Sequence, residues 1–165
     1  MNNIYLVGFM GSGKSTVGKL ISQKLGYKFV DIDKEVEKQE DITIKEIFER
    51  FGEQYFRNVE KEKLKEFIDK SGYVVSTGGG LGADKEMMDL MKSSGIVIWI
   101  DASLDKILKR CQNDTDRPLL KLPYEKIKDL YEKRREVYKL ANIYIHTDDK
   151  SPLQIFEEIQ RKLKR

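Results

Sequence analysis

One cysteine, one histidine and three prolines stand among the 165 residues. With Cys111 alone, no internal disulfide can form and no cysteine spacing suggests a metal site. Cys111 reads as a small, partly buried side chain without a chemical role. His146 has no Ser or Asp partner at a spacing that would make it a catalytic base, and it reads as structural. Apolar runs of membrane-spanning length are also missing, since the longest are strand-sized. Met1-Asn2-Asn3 leads straight into an apolar run, without the basic, apolar and small-residue succession of a leader, so a cytoplasmic location is expected. Net charge is only +3, although 36% of residues are charged. The two signs alternate, as in Glu60-Lys61-Glu62-Lys63, which describes solvated helix faces rather than a surface for nucleic acid. The basic ending Arg161-Lys162-Leu163-Lys164-Arg165 suits a helix C-terminus.

What is present begins at once. Gly8-Phe9-Met10-Gly11-Ser12-Gly13-Lys14-Ser15, directly after Ile4-Tyr5-Leu6-Val7, matches G-x-x-x-x-G-K-[ST]. In that pattern glycines bring successive backbone N–H groups onto a polyphosphate, and the following helix adds its positive end. Lys14 adds a mobile charge, and Ser15 can offer its hydroxyl to Mg²⁺. A strand before the loop and a helix after it are the context the pattern requires.

Five apolar runs predict strands at Ile4–Val7, Lys28–Ile32, Tyr73–Ser76, Ile96–Ile100 and Ile143–Ile145. Several are apolar almost throughout, as in a parallel sheet covered on both faces. Helical periodicity separates them. Lys14 to Leu25 is followed by Gly26, and the face Ile44, Ile47, Phe48, Phe51 ends at Gly52. Further helical stretches run Tyr55 to Ile68, Glu86 to Met91, Leu104 to Cys111, Tyr124 to Leu140 and Leu153 to Leu163. The alternation predicts one α/β domain over 1–165, three layers deep, around a parallel sheet. Two stretches interrupt it: an excess of helix from about Lys34 to Lys70, and Gln112 to Pro123, which reads as a lid between helices.

Several residues can carry chemistry. Asp31-Ile32-Asp33 closes the second predicted strand, at the edge where open α/β sheets bind ligands. Strand alternation puts Asp31 and Asp33 on one side, where one can hold Mg²⁺ through water and the other can accept a hydrogen bond from a hydroxyl. Asp33 can equally cap a helix. Arg57 and Glu60 share a helix face, either as a surface ion pair or as a guanidinium held by its carboxylate toward a planar anion. Gly78-Gly79-Gly80 follows the third strand, and three glycines there let a ligand approach the backbone. Arg110 and Arg117-Pro118 bracket the lid, where an arginine can neutralise transferring phosphate. Arg134 offers a further cation for an acidic substrate, and Arg135 reads more readily as a solvated side chain.

In this order and combination the motifs resemble one family, the shikimate kinases. The residues are Gly8–Ser15, Asp31-x-Asp33, Phe56-Arg57-x-x-Glu60, Gly78-Gly79-Gly80, Arg117-Pro118-Leu119-Leu120 and Arg134-x-x-x-Tyr138, spread over nearly the whole chain. The resemblance implies a fold like the nucleoside monophosphate kinases, with five parallel strands in order 2-3-1-4-5. It implies a substrate-binding helical region at about 33–60 and a lid at about 112–123. It also implies transfer of the ATP γ-phosphate to the 3-hydroxyl of shikimate, within the pathway to chorismate and aromatic amino acids, by a monomer with one Mg²⁺.

By the same resemblance Lys14, Asp33 and Arg117 are catalytic. Gly11, Ser12, Gly13, Lys14, Ser15, Thr16, Arg110 and Arg117 bind nucleotide, and the loop near Lys150–Pro152 flanks adenine. Asp33, Arg57, Gly79, Gly80 and Arg134 bind shikimate, while Ser15 and, through water, Asp31 hold the metal. The competing readings are another small-molecule kinase, for gluconate or a nucleoside monophosphate, and a nucleotide-binding module without catalysis.

Overall fold

The structure, a computed structural model, describes residues 1–112 and 121–164. Its elements run β1 (Asn3–Val7), α1 (Lys14–Leu25), β2 (Lys28–Asp31), α2 (Ile32–Glu40), α3 (Ile44–Ile68), β3 (Tyr73–Ser76), α4 (Gly79–Gly82), α5 (Lys85–Ser94), β4 (Gly95–Asp101), α6 (Leu104–Arg110), α7 (Tyr124–Tyr138), β5 (Ile143–His146) and α8 (Pro152–Leu163). The strands form one sheet in the order β2-β3-β1-β4-β5, every pair parallel. The parallel sheet is what the alternating runs predict, and the strand order is the one the family resemblance implies.

Near-continuous apolar strands follow from burial on both faces. Tyr5 and Val7 of β1, with Val97 and Trp99 of β4, face a core completed by Val36, Ile47, Leu64, Met87, Met91 and Tyr138 from α2, α3, α5 and α7. The alternate residues Ile4, Leu6, Ile98 and Ile100 meet Val17 and Ile21 of α1 and Ile155, Phe156 and Ile159 of α8. Each strand residue therefore needs an apolar side chain whichever way it points.

Register gathers the functional loops at one edge. Asp31 pairs with Ser76 and Ser76 with Leu6, so the ends of β2, β3 and β1 lie in one row. The phosphate loop leaves beside Trp99, the partner of Val7. Gly8 then passes so close to β4 that a Cβ on it would stand 2.3 Å from the carbonyl oxygen of Ile100. Only glycine seats the loop there.

Local signals set most boundaries. Gly26 ends α1 in the left-handed region, and a reciprocal capping box of Thr43 and Glu46 starts α3. Gly52 interrupts α3 with φ 86° and ψ 169°, so the predicted helix ending there and the one from Tyr55 form one bent element. The strand prediction through Ile32 runs one residue too far. Asp31 caps α2 by accepting from the amides of Asp33 and Lys34. The cap is therefore Asp31, and Asp33 lies in the first helical turn, so strand alternation does not orient the pair. None of the described helices is long and apolar enough to cross a membrane.

Candidate active site

Two cavities adjoin at the carboxyl edge of the sheet. One, of about 330 Å³, is lined by the phosphate loop from Met10 to Thr16, with Ser76, Thr77, Arg110 and Cys111 on its walls. The second, of about 490 Å³, lies between α2, α3, α4 and α7 and includes Ile44, Phe48, Phe56, Arg57, Glu60, Gly80 and Arg134. Met10, Asp31, Asp33, Gly78 and Gly79 line both. Asp33 thus stands where the contents of the two cavities would meet.

The first cavity is built to hold anionic oxygens. Gly13 caps α1 without a side-chain hydrogen bond, which leaves the first helical amides to a ligand. Lys14 is buried, with Nζ donating to the carbonyls of Gly8 at 2.7 Å and Phe9 at 3.0 Å. Ser15 Oγ donates to Asp31 Oδ2 at 3.1 Å, while Asp31 Oδ1 accepts from the Asp33 amide at 3.0 Å. A hydroxyl and a carboxylate side by side at the head of a phosphate loop are hard oxygen donors of the kind Mg²⁺ takes. The described residues contain no cluster of three or more His, Cys, Asp or Glu for a metal. The donor set fits an ion that is completed by phosphate and water. Arg110 Nη1 reaches the carbonyl of Gly11 at 3.3 Å. Cys111 is more buried than the sequence suggested.

The second cavity carries cations held for an anion. Arg57 Nη1 lies 3.0 Å from Glu60 Oε1, and Nη2 lies 3.6 Å from Glu53. Since the Glu60 side chain is 1% exposed, this is no surface pair. Arg134 is buried, and its Nη1 has no hydrogen-bond partner among the described residues. Burial holds its pKa below the usual arginine value, with Arg57 adding repulsion. Its guanidinium lies over the Phe9 ring, 5.6 Å from the centroid. Two guanidinium groups that repel each other across a cavity are stabilised by an anion between them.

The triple glycine is explained by space. Gly78 is extended and Gly79 opens the one-turn helix α4, none of the three having positive φ. A Cβ on Gly78 would stand 2.8 Å from Glu60 Oε2, one on Gly79 2.9 Å from Arg134 Nη1, and one on Gly80 2.5 Å from Arg57 Nη1. Tyr138 Oη donates to the Gly79 carbonyl at 2.6 Å and ties α7 to this turn. Burial, then the neighbouring Asp31, raises the pKa of Asp33 above the usual carboxylate range.

Other predicted residues take different places. Arg135 is not a solvated side chain: Nη1 pairs with buried Asp101 at 2.6 Å, and the guanidinium lies 4.7 Å from the Trp99 ring centroid. Nothing in the spacing of the chain pointed to Asp101. Lys150 pairs with Glu158 at 2.8 Å, and Ser151 caps α8. Arg117 and residues 113–120 of the expected lid lie outside the described residues.

A phosphate loop after β1, a five-stranded parallel sheet and an adjoining cavity with two converging arginines define a P-loop kinase that acts on a small acidic molecule. The family profile described as shikimate kinase matches residues 10–164. The shikimate kinase of Sulfurihydrogenibium sp. is 59% identical over 165 residues, covering 100% of this chain and 99% of that one. The crystal structure of shikimate kinase from Aquifex aeolicus superposes with TM-score 0.90 at 47% identity, covering 98% and 96% of the two chains. That of the Acinetobacter baumannii shikimate kinase in complex with shikimate does so with TM-score 0.94 at 34% identity, covering 99% and 93%. The chain belongs to the shikimate kinase family and is an ATP-dependent transferase of the shikimate pathway.

Proposed function

We propose that the enzyme transfers the γ-phosphoryl group of ATP to the 3-hydroxyl of shikimate, with the phosphate-loop cavity holding the donor and the α2–α3–α7 cavity the acceptor. The single observation that carries this division is Asp33, half-buried at the junction and lining both cavities. Such a group can take a hydrogen bond from an acceptor hydroxyl facing the phosphate. Arg57 and Arg134 clamp the acceptor carboxylate, and the Gly79 and Gly80 backbone lies against its ring. Ile44, Phe48 and Phe56 give the ring an apolar wall.

Gly11 to Thr16 cradle the β- and γ-phosphates. Lys14 swings from the Gly8 and Phe9 carbonyls to the transferring group, and Arg110 flanks the nucleotide, with the loop near Lys150–Pro152 across the adenine. Ser15 would bind Mg²⁺ directly and Asp31 through water; the ion supplies charge neutralisation of the phosphates when bound. Arg117, assigned by its place in the sequence, closes over the phosphates from the lid at about 112–123, and the region at about 33–60 encloses shikimate. Transfer by positioning and charge neutralisation, without a covalent enzyme intermediate, is what such a constellation can accomplish. One domain acting as a cytoplasmic monomer completes the reading.

The experiment is to incubate the enzyme with ATP, Mg²⁺ and shikimate and to follow ³¹P and ¹H NMR. The expected product carries phosphorus coupled to the ring proton at carbon 3, and chelating the metal stops its formation. Phosphorylation at another oxygen, or ATP loss without a phosphate ester, would show the division of the cavities to be wrong.

A further inference from the structure

Two carboxyl groups meet beneath Gly78, and each keeps one oxygen to which no described residue donates. Asp33 Oδ1 and Glu60 Oε2 are both buried, and no donor among the described residues reaches either atom. The point where a Cβ on Gly78 would stand is 2.8 Å from Glu60 Oε2 and 2.9 and 3.0 Å from the two Asp33 oxygens. With no side chain on this glycine both carboxyl groups crowd one point, where a hydrogen bond between them is the contact open to their unpartnered oxygens. An ionised carboxylate only accepts, so two of them cannot form such a bond; one proton between them turns repulsion into an O–H···O contact.

Resting on the acceptor site proposed above, we infer that Glu60 carries a proton at neutral pH and donates it to Asp33. This makes Glu60 a positioning residue that fixes the Asp33 side chain toward the acceptor hydroxyl and leaves Arg57 to the acceptor carboxylate. The surroundings favour the neutral form. Burial, then the adjacent Asp33, pushes Glu60 up to about 8, against the opposing effect of Arg57 on its other oxygen. The charged and titratable groups facing the pair are Lys14 of the phosphate loop, Asp31 ending β2, Arg57 of α3, and Arg134 and Tyr138 of α7. Lys61, next in sequence, is engaged by Asp84 of α5 at 2.9 Å. Loss of the Glu60 proton deprives Asp33 of its donor and draws Arg57 into a full ion pair. Acceptor binding then weakens on the alkaline side while nucleotide binding does not.

Glu60→Gln discriminates, because a carboxamide donates to Asp33 and accepts from Arg57 as a protonated carboxyl does, and it does not titrate. Shikimate and ATP KM and kcat are measured from about pH 6 to about pH 9.5 for the wild type, Glu60→Gln and Glu60→Ala. In the wild type the shikimate KM rises toward tenfold per pH unit above about pH 8, with the ATP KM flat. Glu60→Gln keeps kcat/KM for shikimate within about threefold at neutral pH and loses the alkaline rise, whereas Glu60→Ala is impaired at every pH. A folded Glu60→Gln that loses more than about thirtyfold at neutral pH, or that retains the alkaline rise, overturns the inference. A second readout needs neither substrate nor variant. In ¹³C-labelled wild-type protein, one glutamate carboxyl resonance titrates near pH 8; all titrating below about pH 6 overturns it too. Because this readout is independent of turnover, it separates a wrong assignment of Glu60 from a wrong assignment of the acceptor.

Discussion

Arg57 and Gly80 exclude one another's space: a Cβ on Gly80 would stand 2.5 Å from Arg57 Nη1 and 2.6 Å from its Cζ. The obstructed atoms are the far end of a flexible side chain, so Gly80→Ala is accommodated by moving the guanidinium rather than by unfolding. The cost falls on binding. Misplacing one charge-assisted hydrogen-bonding group costs about 1.5–3 kcal/mol, or on the order of a 10- to 150-fold rise in the shikimate KM. Arg57→Ala gives at least as large a rise. In both variants the ATP KM and the melting temperature stay close to wild type, as steady-state kinetics and thermal denaturation will read.

Asp33→Asn keeps the size of the side chain and removes its capacity to take a hydroxyl proton. Turnover should fall by about 10²–10⁴ if Asp33 acts as general base, with the shikimate KM less affected. A loss of only a fewfold in kcat would make Asp33 an orienting group alone.

The strands were legible because apolar residues are needed on both faces of this sheet, and α1 because it follows the phosphate-loop pattern and stops at Gly26. The turn from β2 into α2 was not. Asp31-Ile32-Asp33 fits strand alternation and helix capping alike, and only the amides accepted by Asp31 decide between them. Helix α4 was hidden because Gly79 and Gly80 are poor helix formers. They are there to leave room for Arg134 and Arg57. Arg134 was singled out by the motif Arg134-x-x-x-Tyr138, but nothing local showed that about 100° of helical rotation sends Arg135 to Asp101 rather than to solvent. Asp101 lies 34 residues from Arg135, and no local signal links them.

That pair bears on stability. Asp101 is nearly buried and also accepts from Tyr144 Oη at 2.7 Å and, at 3.4 Å, from Tyr131 Oη. Asp101→Asn leaves Arg135 charged without its counter-ion, but that side chain is 30% exposed and water offsets part of the loss. Breaking a buried pair costs 3–5 kcal/mol, so about 1–3 kcal/mol is expected here, read as a lower urea midpoint.

Glu60 also makes stability depend on pH. Burial and the adjacent Asp33 push its pKa up to about 8 in the folded state against 4.5 for a free glutamate, so the folded chain binds more protons between these limits. Its contribution is therefore fully present below about pH 4.5 and is lost as pH rises toward about 8. Glu60→Gln removes this loss. Its melting temperature should gain on the wild type from pH 5 to pH 8.5 by roughly 10 °C, on the order of 4 kcal/mol. A difference that does not change with pH would mean that Glu60 is ionised in the folded protein throughout.

The most direct measurement is kcat/KM from coupled ADP release with shikimate, quinate, gluconate and nucleoside monophosphates as acceptors under one set of conditions. A cavity with two arginines for one carboxylate, an apolar wall and Asp33 at the phosphate junction should favour shikimate by at least about 10³ over gluconate and the nucleotides. Equal or greater turnover of gluconate or a nucleoside monophosphate, or ADP release that no acceptor stimulates, would contradict it.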